Sequence, residues 1–296
     1  MSNNGKRDLA RQVSTVVGAL FQVLAPAIVP IGAIAKETPS LVIPTDYTFA
    51  IWGPLFLLCL AYATYQALPA NGQNPLLQRV GWFLAGAFFL NGLWEVLVPL
   101  RQPVVLQAIL AGIFACLAVG YMRLVRSDRS VWNRANRWLV ALPLGLLFGW
   151  ITAANVVSFN DTLVELGLLG SGVGGALAGA FLLLVGAVLA SVVILVSGAG
   201  PLQGLLAYAG AVLWALIGVV VNQYDASLLT TGAALLSGAL VAIAIMNTLR
   251  GRRQHIEASR SVRPQAAGGR LTAFRPGRIS SRATCSGSPY LIHPSA

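Results

Sequence analysis

Eight apolar, almost uncharged stretches dominate this chain, each about as long as the roughly 18 residues an α-helix needs to cross a bilayer. They lie near residues 13–35, 48–67, 80–100, 103–122, 138–159, 174–197, 201–221 and 228–248. Hydrocarbon offers no water to take up backbone N–H and C=O groups, so such stretches are confined to helices. The fold class that follows is all-α: a polytopic membrane helix bundle of about eight transmembrane helices. Composition agrees, with 56% hydrophobic residues, 10% charged residues and a mean hydropathy of +0.74. The bilayer is therefore the first expected partner.

Charge orients the bundle, because Lys and Arg of short loops stay on the cytoplasmic side. Lys6, Arg7 and Arg11 precede the first stretch, Arg79 follows the second, Arg123, Arg126, Arg129, Arg134 and Arg137 surround the loop after the fourth, and Arg250, Arg252 and Arg253 follow the last. All fall on one side of an alternating path. The other side receives Lys36, Glu37, Asp46, Arg101, Asp161, Glu165 and Asp225, a net acidic set. A cell-membrane, multi-pass protein with both termini cytoplasmic is expected. The net charge of +11 records this asymmetry, and no nucleic-acid partner is inferred from it. The segment from Lys6 through Ala33-Ile34-Ala35 has the outline of a signal peptide, but its apolar run is long enough to span, so it reads as a retained helix.

Residues 249–296 carry nine Arg, one acid and many Ser, Gly and Pro, and read as a basic disordered cytoplasmic tail. Cys59 and Cys116 lie in apolar stretches and Cys285 in the tail, which gives no disulfide framework. His255 and His293 both lie in the tail, so the spans offer no imidazole to a metal or a haem iron. No cofactor is expected.

The stretches divide by composition into residues 1–12, a cytoplasmic N-terminal segment; 13–160, five helices carrying the polar and aromatic residues; and 161–248, three additional Gly/Ala-rich helices. In the last group Ser171 to Ala180 and Ser197 to Gly200 supply small residues for close helix contact. Trp150 and Trp214 are each followed eleven residues later by an Asp, Asp161 and Asp225, a faint internal echo.

The most unusual stretch is Ile43 to Phe56, where Pro44, Asp46, Tyr47, Phe49, Trp52 and Pro54 crowd the start of the second helix. An interfacial aromatic belt would use such residues too. Depth favours a shaped site. At about 1.5 Å rise per residue, Trp52, Glu95 and Asn155 lie roughly 7 Å below the outer surface, Trp94 roughly 9 Å and Asn91 roughly 13 Å. Asn91, Trp94 and Glu95 share one face of the third helix. Glu95 is an ionisable group well inside an apolar helix, a functional candidate in itself; its alternative is a carboxylate near enough to the surface to snorkel. The spans hold no paired carboxylate, no histidine and no Ser or Thr with a basic partner, so catalysis is not expected.

These residues resemble the tryptophan-rich sensory protein and translocator protein family. Pro44, Tyr47, Phe49, Trp52 and Leu55-Phe56 follow the order of its signature at the second helix, and Leu90-Asn91-Gly-Leu-Trp94 that of the third. Pro143, Trp150, Ala154 and an Asn follow the fifth more loosely, with Asn155 early and Asn160 late. The resemblance covers roughly residues 13–160, and the chain looks like a long, eight-helix branch. It implies an outer-half pocket, lidded by the loop between the first two helices, for porphyrins or other flat apolar molecules held as ligands and not as cofactors. Trp52, Phe49, Asn91, Trp94, Glu95, Trp150 and Asn155 would line or brace it, and Pro44 and Tyr47 would shape the lid. The expected partner is a hydrophobic small molecule, and a homodimer is compatible with the family. The competing readings are a secondary transporter with a midplane site and a structural subunit docking through its Gly-rich helices.

Overall fold

A computed structural model describes residues 3–28, 40–170 and 172–261. Among them, eight helices are long and apolar enough to cross a membrane, and the protein is a multi-pass helical membrane protein. We number them α1 (Asn3–Ile28), α2 (Trp52–Ala67), α3 (Pro75–Leu97), α4 (Pro103–Val125), α5 (Leu142–Glu165), α6 (Val173–Val196), α7 (Leu202–Gln223) and α8 (Leu228–Ser261). A 3₁₀ turn, Asp46–Ile51, leads into α2.

Local chemistry sets several helix ends. The Asn74 side chain accepts the Leu76 N–H (3.0 Å) and Pro75 occupies the first turn of α3, where a missing N–H goes unneeded. Asn133 does the same for the Asn136 N–H (2.7 Å) in the short turn Arg134–Asn136 before α5. A π-helical turn, Arg137–Ala141, then precedes Pro143, whose ring and absent N–H cannot follow a regular ladder. Gly167, at φ +70°, closes α5 in the left-handed conformation that glycine adopts freely.

Two boundaries differ from the sequence expectation. The first helix begins by Asn3, so Lys6, Arg7 and Arg11 are helical rather than part of a leading segment; its end at Ile28 precedes residues 29–39, and Ala33-Ile34-Ala35 lies outside the described residues. The last helix does not stop at 248 but runs to Ser261, and along it Arg252 Nη1 donates to the carbonyls of Gly198 and Gly200, 2.7 Å each, in the turn between α6 and α7. The tail expected to be disordered lies, beyond Ser261, outside the described residues.

Contacts gather Met1–Arg253 into one compact unit, and the change of composition near residue 160 falls within it; Gln254–Ala296 forms a second unit, of which the end of α8 is described. In the first unit, α1 packs on α2 and α3, α3 on α4, α4 on α5, and α5 on α2, which closes a ring of five helices. Helices α6 and α7 pack on the outer side of α5, with α5–α7 among the tightest pairs. Gly145 and Gly149 of α5 make that approach possible. A Cβ on either would collide with the backbone carbonyl of Gly204 or Tyr208 on α7, the behaviour of a small-xxx-small contact. On the other side of the ring, Gly18 of α1 lies against Ala85, Phe88 and Phe89 of α3, and Gly92 of α3 against Phe21.

Candidate functional site

The segment from Ser40 to Ile51 crosses from the end of α7 to the rim of the five-helix ring, and it is stitched down at nearly every residue. Ser40 Oγ accepts from Asn160 Nδ2 (2.9 Å). Val42 is fully buried beside Gly179 of α6. The Ile43 carbonyl accepts from both Asn222 Nδ2 (2.9 Å) and Gln223 Nε2 (3.2 Å) at the end of α7. The Thr45 N–H donates to the Gly218 carbonyl (3.2 Å), and Trp214 Nε1–H to the Thr48 carbonyl (2.8 Å). Pro44 is buried against Gly218, where a Cβ would press on Pro44 and Thr48. The buried carbonyls of an irregular segment need partners in a bilayer. Here α7 supplies them.

Aromatic residues of the segment alternate between two tryptophans. Tyr47, 47% exposed, sets its ring edge-on to Trp214 (5.8 Å), while Phe49 does so to Trp150 (5.8 Å). Trp52 meets Trp150 edge-to-face at 6.0 Å and stacks beside Phe56 at 5.2 Å. The Trp150–Trp214 echo thus has a structural sense: the two residues grip the same 3₁₀ turn from α5 and α7. Edge-to-face geometry of this kind is the favoured one for aromatic pairs.

On α3, Asn91 and Glu95 are buried, at 1% and 7% exposure, and Asn91 Nδ2 donates to Glu95 Oε1 (3.0 Å) one turn on. Glu95 Oε2, Trp94 Nε1 and Trp150 Nε1 are buried atoms without a hydrogen-bond partner among the described residues. Leaving such groups unsatisfied costs about 1 to 3 kcal/mol each. Asn155 is engaged otherwise. It donates from Nδ2 to the Ile151 and Leu110 carbonyls (2.9 and 3.2 Å) and accepts from Gln107 Nε2 (3.4 Å), so it braces α4 against α5.

The sequence-derived candidates therefore sort into three places. Phe49, Trp52 and Trp150 come together between α2 and α5. Asn91, Trp94 and Glu95 lie within little more than one turn of α3, Asn91 and Glu95 buried and hydrogen-bonded to each other. Pro44 and Tyr47 are docked on α7 and Asn155 ties α4 to α5. Trp214, present in the sequence reading only as an echo of Trp150, was not among those candidates, nor were Gly218, Asn222, Gln223 and Gln107. The available signal was the pair Asn222-Gln223 closing an otherwise apolar run, together with the Trp214 echo.

A family model described as TSPO-like protein matches residues 9–246, a range that reaches from α1 into α8. No curated protein and no solved structure matches the chain.

Proposed function

Because the chain belongs to the TSPO-like protein family, we propose that it binds flat hydrophobic ligands, of porphyrin or sterol type, between the Trp52–Trp150 wall and the Asn91–Trp94–Glu95 wall of the ring. Its role is sensory or regulatory rather than catalytic, in the cell membrane with both termini cytoplasmic. The observation that supports this reading most is the set of unpartnered polar atoms on both walls, the indole N–H groups of Trp94 and Trp150 and one oxygen of Glu95. A flat ligand with peripheral polar groups would satisfy them while its faces pack on the rings. On this reading affinity comes from ring faces and edges.

Tryptophan-fluorescence quenching tests it. Metal-free porphyrin is expected to bind comparably to the iron form, and the double variant Trp52→Ala/Trp94→Ala to lose most of that affinity. Binding restricted to the iron form, or unchanged in the double variant, overturns the reading.

A further inference from the structure

At the end of the bundle opposite Trp52, α1 and α3 frame a cleft of about 390 Å³ lined by Arg7, Asp8, Arg11, Gln73, Gln78 and Trp82. Its centre is a buried cation. Arg11 is 1% exposed, and Nη1 donates to Gln66 Oε1 at 2.7 Å. Nη2 lies 3.6 Å from Asp8 Oδ1, an ion pair too long for a hydrogen bond, and neither Nε nor Nη2 has a hydrogen-bond partner among the described residues. A guanidinium presents five N–H donors, so this one is held with much of its capacity unused.

The surroundings are built to keep it there. Gln66 is fixed by reciprocal bonds with Gln12, Gln12 Nε2 to the Gln66 carbonyl (2.9 Å) and Gln66 Nε2 to the Gln12 carbonyl (3.1 Å). Gly81 makes room, since a Cβ there would stand 2.8 Å from Arg11 Cδ. Asp8 is itself turned aside, accepting from Gln78 Nε2 at 3.1 and 3.3 Å. Two guanidiniums against one carboxylate leave the lining net positive.

The cleft sits where the spans Gly5–Ile28 and Pro75–Leu100 begin, the level of lipid headgroups. Trp82, 43% exposed, stands one helical turn beyond Gln78 on α3, in the direction of the bilayer core. We propose that this cleft binds the phosphodiester headgroup of an anionic phospholipid. Its phosphate oxygens accept from the exposed Arg7 guanidinium, a match of the fork to phosphate, while the buried Arg11 charge beneath attracts the headgroup without touching it. The acyl chains run past the Trp82 ring. This site is separate from the aromatic walls and does not depend on their reading.

The test uses the full chain reconstituted in vesicles that contain acyl-brominated phosphatidylglycerol or acyl-brominated phosphatidylcholine, with tryptophan quenching as the readout. Quenching is expected to favour phosphatidylglycerol, and the preference to disappear in Trp82→Phe. Arg7→Gln, at an exposed position that leaves the Arg11–Gln66 bond intact, is expected to weaken the preference about five-fold, the effect of one basic residue near an anionic surface. Equal quenching by the two lipids, or a preference unchanged in Arg7→Gln, overturns the proposal. Displacement of phosphatidylglycerol by millimolar inorganic phosphate overturns the lipid assignment in favour of a soluble anion.

Discussion

Glu95 binds Asn91 through one carboxylate oxygen and among the described residues has no partner for the other, at 7% exposure within an apolar helix. A hydrogen-bonded charged group contributes about 1.5 to 3 kcal/mol. If its free oxygen meets the ligand, Glu95→Gln keeps the fold and weakens porphyrin binding, and Glu95→Leu weakens it further, about ten- to hundred-fold. Titration of both variants by tryptophan quenching checks this; unchanged affinity with raised thermal stability in Glu95→Leu would mark the residue as a tolerated carboxylate. The candidacy of Glu95 was readable, since it is the charged residue set deep in the third apolar stretch, and Asn91 lies one turn away. That the indole N–H groups of Trp94 and Trp150 find no partner among the described residues was not readable, because it depends on what neighbouring helices fail to offer.

At the scale of elements, the α5–α7 contact holds together Trp150 and Trp214, the two residues that grip the 3₁₀ turn Asp46–Ile51. Gly149→Leu would force a side chain against the Tyr208 carbonyl, and overpacking of this kind costs about 1 to 3 kcal/mol. Thermal unfolding followed by near-ultraviolet circular dichroism should show a lowered midpoint. Gly218→Leu acts more locally, pushing on Pro44 and Thr48. Amide hydrogen exchange should then quicken at Thr45, whose N–H bonds the Gly218 carbonyl, while α2 amides keep their protection. The spacing Gly145-x-x-x-Gly149 is visible in the sequence, but the glycines after Ser171 are denser. Of those, Gly172 and Gly174 have nothing within contact distance of a Cβ, whereas Gly175 and Gly179 do. Glycine density does not reveal which helix comes near; a pair at the right spacing, facing a particular backbone, does.

For the whole molecule, the hydrogen bonds group the helix ends as the charge asymmetry requires. Arg11 with Gln66, Tyr65 and Asn74 with Asn136, and Arg252 with Gly198 lie at the Arg-rich end; Ser40 with Asn160 and Ile43 with Gln223 lie at the other. In a background free of native cysteines, Arg129→Cys is expected to resist impermeant thiol reagents added to intact cells and Leu168→Cys to react, and the reverse pattern would invert the topology. The eight spans were legible because hydrophobicity is a property of each stretch alone. The docking of residues 43–48 on α7 was not, because its bonds use backbone carbonyls about 170 positions away from their side-chain donors. That docking bears on time. Four hydrogen bonds join Ile43, Thr45 and Thr48 to α7; at about 1 kcal/mol each, lifting the segment is slowed about a thousand-fold relative to an unsecured loop. If the proposed ligand exchanges across this rim, its dwell is long, and occupancy follows a running average of ligand supply and filters out its brief fluctuations.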